Sequence, residues 1–360
     1  MNFSQARLHH WLTQQEAVGG LLATNHANIF WLTGFSGSAG MFLQTKKGKK
    51  FLITDSRYEG TAREICRREE LEFVLWDEDL REHFGENISG TVAVEDFLSL
   101  SQFDRLKKLF PVAKLQPSSH ILEQLRRQKN PDEIRKISYA QAHVDSTLLL
   151  FMKSNAIEGK SEKELAFKLE QALRAGGKFE LSFPVIVAFA ENSAIPHHSP
   201  TDRKLAHGEN ILVDCGIKHQ GYSSDMTRNF VLGRASKEFQ KKYDILKEVQ
   251  AQTLKQFQAG ADGTNIDGFS RRILGGDAAF FSHSLGHGVG LEVHELPRIA
   301  ALSKNTKTTP AMILQENEVV TCEPGIYFPG QFGIRIEDLL VVRKNTCQVL
   351  SRTTKNLIIL

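Results

Sequence analysis

Residues 211–232 read ILVDCGIKHQGYSSDMTRNFVL and contain the most informative pattern in the chain. Two apolar halves flank a polar centre, a pattern that predicts strand, turn and strand in an antiparallel hairpin. We centre the turn between His219 and Gln220. Asp214 then lies directly opposite Asp225, with their Cβ atoms about 4.5–5.5 Å apart. Because facing carboxylates repel each other, this pairing indicates a bound cation, unless a one-residue slip in register turns the two acids to opposite faces.

A second hairpin with the same feature lies further along the chain. Residues 318–342 read as strand, turn and strand, with the turn centred on Gly330. This register places Glu323 opposite Glu337. Arg335 shares the face of Glu337, because side chains alternate along a strand. A single glutamate here would be an ordinary surface ion pair, but two hairpins that each offer a facing acid pair favour one shared metal site.

Between the hairpins, residues 282–295 read SHSLGHGVGLEVHE, with three histidines and three glycines. Glycine lets backbone approach a site closely, and imidazole is a common metal ligand. One imidazole with four carboxylates forms an oxygen-rich ligand set that suits Mn, Co or Fe(II), with Zn as an alternative. The set is too poor in sulfur and imidazole for a structural zinc site. Two bridging carboxylates would hold two ions about 3.5–4 Å apart.

A further pair of histidines lies in the segment NSAIPHH at residues 192–198. A histidine just outside the ligand sphere can donate to a substrate carbonyl or stabilise charge on a tetrahedral intermediate. Taken alone, His197 or His198 reads more simply as an exposed loop residue. The functional interpretation therefore depends on the neighbouring motifs.

The composition is that of a soluble globular protein. The net charge of the 360 residues is +3, too close to neutral to indicate nucleic acid or an anionic membrane as a partner. The N-terminal stretch lacks the apolar core of a signal peptide, and no apolar run approaches the roughly 18 residues of a membrane span. Four cysteines without CxxC spacing indicate reduced thiols. We therefore expect a cytoplasmic protein without nucleic-acid or membrane partners.

The chain divides into two predicted domains. Residues 1–125 alternate strands and helices, as in an α/β domain, and include a hairpin around the lysine-rich turn Lys46–Lys50. The helix-start sequence Asn130-Pro131-Asp132-Glu133 marks the boundary. Residues 126–360 form the second domain, with helices packed on a mainly antiparallel sheet, which makes the fold class α+β. Its helices are predicted at 131–154, from the Ser161 capping box to Gly176, at 236–258 and at 265–274.

Several segments together resemble a known family. They are IPHHSP, the first hairpin, SHSLGHGVGLEVHELP, VVTCEPGIY and GIRIEDLLVV, and they cover most of residues 130–345. They resemble the pita-bread metallopeptidases, in the branch of Xaa-Pro aminopeptidase (aminopeptidase P) and Xaa-Pro dipeptidase (prolidase). GFSGSAG at residues 34–40 and ITDSRY at 53–58 resemble the N-terminal domain of creatinase/prolidase type. In relatives that domain supports a homodimer and restricts the active-site mouth, so the resemblance implies both here.

The resemblance also implies a role for each site residue. It makes Glu323 a proton relay as well as a ligand, and it places His197 and His294 on the substrate or the tetrahedral intermediate. By the same resemblance, His283 would line the proline pocket, and Arg335 would lie beside the last ligand, in contact with the substrate. The resemblance leaves the role of His198 open. Two divalent ions, Mn(II) first with Co, Fe or Zn as alternatives, would be held by Asp214, Asp225, His287, Glu323 and Glu337.

The implied activity is hydrolysis of the Xaa-Pro bond at the N-terminus of proline-containing peptides. We favour an aminopeptidase because of the N-terminal match, with an Xaa-Pro dipeptidase as the alternative. Methionine aminopeptidase shares the fold and ligands but does not account for a separate N-terminal domain. A metal-free binding module would lack some of the five ligands. A zincin is excluded, since the segment that starts at His294-Glu295 has no second histidine and contains Pro297, which would break the required helix.

Overall fold

The computed structural model describes residues 2–76, 90–301 and 312–360. The chain separates into two compact units, Met1–Arg126 and Arg127–Leu360. In the described part of the chain, no helix combines the length and the apolar character needed to cross a membrane. All four cysteines are free thiols, as predicted.

The first unit is built on a mixed sheet with the strand order β4-β3-β2-β1-β5-β6. Its strands are β1 (Val18–Ala23), β2 (Met41–Thr45), β3 (Lys50–Thr54), β4 (Glu72–Leu75), β5 (Gly90–Glu95) and β6 (Ala113–Ser118). Its described helices are α1 (Phe3–Gln14), α2 (His26–Thr33), α3 (Glu59–Glu69), α4 (Leu100–Leu109) and α5 (Ile121–Arg126). The three pairings β1–β5, β3–β4 and β5–β6 are parallel, while β1–β2 and β2–β3 are antiparallel.

The lysine-rich hairpin of this unit is confirmed. Strands β2 and β3 pair in register up to Gln44 and Lys50. Gly48 closes the turn with a positive φ of 87°, and its N–H donates to the carbonyl of Thr45 over 2.9 Å. Helices α2 and α5 were not predicted. The eight-residue helix α2 begins at a clear cap, because the side chain of Asn25 accepts from two backbone N–H groups.

The second unit packs helices on antiparallel sheets. Its described helices are α6 (Pro131–Asn155), α7 (Glu162–Arg174), α8 (Lys237–Leu254) and α9 (Gly263–Leu274). Its first strands are β7 (Glu180–Leu181), β8 (Ile186–Phe189), β9 (Asn210–Cys215), β10 (Ile217–His219), β11 (Tyr222–Ser223) and β12 (Met226–Val231). The others are β13 (Gly286–Gly288), β14 (Glu295–Ile299), β15 (Val319–Cys322), β16 (Gly325–Phe328), β17 (Phe332–Arg335), β18 (Asp338–Val342), β19 (Cys347–Val349) and β20 (Ile358–Ile359).

Two sheets of this unit carry the site. One has the strand order β20-β12-β9-β8 and the other β14-β13-β15-β18-β19. Within the second unit, every described strand pair is antiparallel except β12–β20. One buried apolar cluster packs α6 and α7 on the first sheet, and another packs α8 and α9 on the second. Burial of this apolar surface is the main force that holds the helices on the sheets.

The helix starts follow the predicted chemistry. Asn130 accepts from the N–H groups of Asp132 and Glu133 at 2.8 and 3.0 Å, and the Glu133 carboxylate accepts from the Asn130 N–H at 2.7 Å. Ser161 and Glu164 form the same reciprocal capping box at the start of α7. Both boxes satisfy N–H groups that have no partner inside the helix.

The predicted register of the second hairpin is confirmed, and that of the first is wrong. In the second, Gly325 pairs with Arg335 and Cys322 with Asp338, the pairing expected for a turn centred on Gly330. Glu323 lies in the short break between β15 and β16. Glu337 lies in the corresponding break between β17 and β18.

In the first hairpin, Asp214 pairs with Thr227 instead of Asp225. The reason is the turn itself, because Gln220 and Gly221 both have positive φ, at 50° and 85°. This two-residue turn moves the pairing by two positions, which leaves each side chain on its predicted face.

A buried ion pair ties the two hairpins to the C-terminal segment. Arg228 and Asp338 are each about 1% exposed, with Arg228 Nη2 at 2.7 Å from Asp338 Oδ1. The other oxygen, Asp338 Oδ2, accepts from Gln250 Nε2 at 2.9 Å and from Lys355 Nζ at 2.7 Å. Arg228 Nη2 also donates to the carbonyl of Thr353 at 2.9 Å. These contacts link β12, β18, α8 and the chain end.

We expect Asp338→Asn to destabilise the protein by about 3–5 kcal/mol, because it leaves the Arg228 charge buried without a counter-charge. The matched control is Asp132→Asn, which removes an acid that is 55% exposed and pairs with Arg135 and Lys136 on the surface of α6. The control should cost less than about 1 kcal/mol. Chemical denaturation measures both free energies of unfolding, and equal values for the two variants would contradict the assignment.

Candidate metal centre

A cavity of about 640 Å³ opens in the second unit, beside the two hairpins. Side chains from the ends of β9, β12, β15 and β17 and from β13 and β14 reach it. Every residue that the sequence assigned to the site lines this cavity: His197, Asp214, Asp225, His283, His287, His294, Glu323, Arg335 and Glu337. The fold therefore brings together all the candidates, although they are distributed over 141 positions of the sequence from residue 197 to residue 337.

Three of these side chains form a compact group of possible metal ligands. One atom each from Asp225, His287 and Glu337 lies within 4.8 Å of the other two. Glu323 adjoins the group, with its Oε1 at 3.3 Å from His287 Nε2. The same nitrogen is 3.7 Å from Asp225 Oδ2. His287 holds its ring in place through Nδ1, which lies 3.1 Å from the Gly288 carbonyl.

Asp214 lies beside this group, and only one of its two carboxylate oxygens has a hydrogen-bond partner among the described residues. Its Oδ2 accepts from Arg335 Nη2 at 2.6 Å. Its Oδ1 is buried and has no hydrogen-bond partner among the residues that the structure describes. A buried acceptor without a partner costs roughly 1–3 kcal/mol. Asp214 lines the same cavity as the other carboxylates, so this orphaned oxygen fits a ligand for a cation.

The electrostatics of the site also fit a cation. Burial, with repulsion from neighbouring carboxylates, raises the pKa of Asp214 and raises the pKa of Asp225 and of Glu337 well above the ordinary carboxyl range. For Glu323, burial acts in the same direction, but the hydrogen bond and charge of His287 outweigh it and lower the pKa to about 2. The charges of the protein therefore stabilise only the ionised carboxylate of Glu323. Ionisation of the other three carboxyl groups stays unfavourable without a further cation.

Arg335 is the main protein cation at the site, and its donors are directed at protein groups. It is 3% exposed. Besides Asp214, it donates through Nε to Thr227 Oγ1 at 2.9 Å and through Nη1 to Tyr327 OH at 2.9 Å. Thr227 in turn donates to Glu337 Oε2 at 2.7 Å. Arg335 thus orients two carboxylates at once, and the substrate contact expected for it stays a prediction.

Two outer histidines, His283 and His294, lie where burial favours the neutral imidazole. His283 lies between the Ser284 carbonyl, 2.7 Å from Nδ1, and Tyr327 OH, 2.8 Å from Nε2. His294 stands edge to face on His287, with ring centroids 4.3 Å apart. Burial lowers the pKa of both His283 and His294 below the ordinary histidine value. A neutral imidazole can give or take a proton, as a group near the reacting bond must.

The adjacent histidines His197 and His198 differ sharply. His197 is exposed and lines the cavity. His198 is buried, and its Nε2 lies 2.8 Å from Glu162 Oε2. His198 also lines the cavity, and the structure shows that it contacts a buried acid.

Sequence reasoning missed several residues of the site. Thr227 follows Asp225 by two positions, and Tyr327 follows Glu323 by four, so the alternation of side chains along a strand could have placed both on the site face. Arg298, which also lines the cavity, has no comparable local signal. The contact between Glu162 and His198 spans 36 positions and could not be read from the sequence.

Comparison with known proteins shows the family to which the chain belongs. The family model described as metallopeptidase family M24 matches residues 135–344, and the creatinase/prolidase N-terminal domain matches residues 5–128. An Xaa-Pro dipeptidase of Pyrococcus horikoshii is 30% identical over 349 residues, which cover 96% of this chain and 95% of that protein.

Two solved structures have closely similar folds. An Xaa-Pro dipeptidase from Bacillus anthracis superimposes with a TM-score of 0.90 at 31% identity, covering 99% of each chain. An X-Pro aminopeptidase from Thermotoga maritima superimposes with a TM-score of 0.86 at 31% identity, covering 98% of this chain and 100% of that one. The two-domain pita-bread fold expected from the sequence is confirmed. The chain is a peptide hydrolase that belongs to metallopeptidase family M24.

Proposed function

We propose that this peptidase is an Xaa-Pro dipeptidase (prolidase) that depends on two divalent metal ions. The sequence alone favoured the aminopeptidase, with the dipeptidase as its alternative. The relatives support the alternative better, because the protein from P. horikoshii and the structure from B. anthracis both bear the dipeptidase name. The structure from T. maritima bears the aminopeptidase name, so a physical feature of the cavity must also be weighed.

That feature is a cation at the cavity wall. Arg298 lines the cavity and is exposed, and it makes no ion pair with any residue in the described ranges. In a dipeptide, the free C-terminal carboxylate lies one residue beyond the scissile bond. In a longer peptide, a neutral amide takes that place. A guanidinium forms strong, charge-assisted hydrogen bonds with a carboxylate, so Arg298 favours the dipeptide.

The apolar wall of the cavity suits the proline side of the substrate. Phe183, Ile186, Val293 and Leu296 line the cavity together with the acids and histidines. A pyrrolidine ring has no N–H to satisfy once it forms a peptide bond, so an apolar surface accepts it without a desolvation penalty.

We assign the ions to the five residues predicted from the sequence: Asp214, Asp225, His287, Glu323 and Glu337. Two observations support this assignment: the Asp214 Oδ1 has no hydrogen-bond partner among the described residues, and the carboxylates are buried. When bound, such ions supply Lewis acidity toward the scissile carbonyl and activate water at neutral pH. The oxygen-rich ligand set favours Mn(II), with Co, Fe or Zn as alternatives. The homodimer and the cytoplasmic location stay predictions.

The remaining residues supply proton transfer and hydrogen bonds. Glu323 carries the ionised carboxylate of the group and lies beside the Thr321 hydroxyl, 3.2 Å away. We assign to it the uptake of a proton from the attacking water and the return of that proton to the leaving amine, the role that the family resemblance implies. His197 and His294 border the same cavity and donate to the substrate carbonyl as negative charge develops on its oxygen.

A peptide panel tests the length preference. We expect Xaa-Pro dipeptides to be cleaved with kcat/KM about 10- to 150-fold above Xaa-Pro-Yaa tripeptides, because one lost charge-assisted contact is worth roughly 1.5–3 kcal/mol. Arg298→Met should remove most of this advantage through KM, while the exposed control Arg352→Met should keep it. Preferential cleavage of the longer peptides would restore the aminopeptidase interpretation.

Two isosteric variants test the ligand assignment. Asp225→Asn and Glu337→Gln should abolish Xaa-Pro hydrolysis and reduce the metal content measured by elemental analysis, since a neutral amide is a poor ligand for a hard cation. Asp244→Asn and Glu248→Gln change exposed acids on α8 and serve as matched controls. Near-normal turnover in either site variant would refute the assignment.

A further inference from the structure

A buried carboxylate outside the metal centre collects an unusual number of hydrogen bonds. Glu162 is the first residue of α7 and is 0% exposed. Its Oε1 accepts from the Phe189 N–H at 2.8 Å and from Asn192 Nδ2 at 3.0 Å. Its Oε2 accepts from the Thr201 N–H at 2.9 Å, the Thr201 hydroxyl at 2.6 Å and His198 Nε2 at 2.8 Å. The carboxylate thus receives five hydrogen bonds.

All five donors lie on one segment, residues 189–201, which carries His197 to the cavity. Two of them come before His197 in the chain and three come after it. Glu162 therefore holds this segment at both ends, and one of its contacts is the neighbour of His197 itself.

The middle of the segment has its own attachment. Ser193 Oγ accepts from the Gly333 N–H at 2.7 Å and from Asn210 Nδ2 at 2.9 Å. The Pro196 carbonyl accepts from Arg335 Nη1 at 3.2 Å. These bonds fix the segment against the hairpin of the metal centre, so the ends held by Glu162 complete its anchoring.

The five bonds require an ionised carboxylate. Burial raises the pKa of Glu162, but the hydrogen bonds from Thr201 and His198 outweigh burial and bring it below the ordinary value. A glutamine at this position would point its NH₂ group at one set of donors or the other. Either orientation leaves a backbone N–H, of Phe189 or of Thr201, without an acceptor, which is costly in a buried site.

We propose that Glu162 is a positioning residue for the reaction, which fixes His197 at the cavity through the segment 189–201. Glu162 does not line the cavity and acts only through this segment. The proposal rests on the proposed function, since it takes His197 as a group that contacts the substrate. A displacement of about 1 Å in such a group can cost on the order of 100-fold in rate.

Kinetics of four proteins test the coupling: wild type, Glu162→Gln, His197→Ala and the double variant, assayed on an Xaa-Pro dipeptide. We expect kcat to fall about 10- to 100-fold in Glu162→Gln and about 10²- to 10³-fold in His197→Ala. In the His197→Ala background, Glu162→Gln should change kcat by less than about 3-fold, because the group that it positions is gone. If Glu162→Gln lowered kcat by the same factor in the wild-type and His197→Ala backgrounds, the proposal would be overturned.

The matched control is Glu164→Gln, in the same helical turn. Its side chain completes the capping box with Ser161, a role that glutamine also fills. We expect kcat and KM of this variant to match those of the wild type. A fall as large as that of Glu162→Gln would show a general effect on α7 and would contradict the specific role.

Hydrogen–deuterium exchange tests the same proposal without any assay of activity. Glu162→Gln should speed exchange over residues 189–201, while Glu164→Gln should not. Unchanged exchange in Glu162→Gln would overturn the proposal. If the wild type cleaves no Xaa-Pro peptide, the proposed function fails, and the exchange result alone then decides whether Glu162 anchors the segment.

A milder variant covers the case in which Glu162→Gln does not fold. Thr201→Val removes one of the five hydrogen bonds and keeps the backbone N–H that supplies another. We expect kcat to fall about 3- to 10-fold, again only when His197 is present, with faster exchange near residue 201. Wild-type kcat and exchange in this variant would contradict the positioning role.

Discussion

Four buried carboxylates repel one another at the centre of the second unit, and the elements around them must hold them in place. Asp214, Asp225, Glu323 and Glu337 meet in one cavity, where Arg335 is the main opposing cation. The protein could avoid the cost only by protonating some of them or by binding positive charge. The hairpins, the shared hydroxyl of Thr227 and the Arg228–Asp338 pair behind them hold the acids together despite this cost. Such stored electrostatic strain is typical of functional sites.

The loops around this centre follow a common rule, in which a buried acid anchors each segment that carries an outer histidine. Glu162 holds the segment of His197. Asp267 accepts from the Leu285 N–H at 3.0 Å and pairs with Arg271, whose Nη2 donates to the His283 carbonyl at 2.6 Å. Glu295, beside His294, pairs with Lys129 over 3.1 Å. Loops placed in this way carry function while rigid elements fix their geometry.

The sequence predicted the register of the second hairpin, because its turn has an odd number of residues centred on Gly330. It did not predict the breaks in both strands at Glu323 and Glu337. It missed the register of the first, because the left-handed conformation of Gln220 is not a property of glutamine. The face of each acid was nevertheless predicted, since the error was two positions and the side-chain period is two. Contacts that depend on distant segments, such as Glu162 with His198, could not be predicted, because tertiary packing alone brings them together.

These buried acids are costly when ionised without a cation, and a bound cation would stabilise them. Titration calorimetry with Mn(II) at about pH 6, in two buffers that differ in ionisation enthalpy, counts the protons released on binding. Because the pKa values of Asp225 and Glu337 lie well above the ordinary range in the metal-free protein, binding must displace protons from these carboxyls. We predict a net release of protons as the metal binds. Binding without proton release, or no binding at all, would contradict the account.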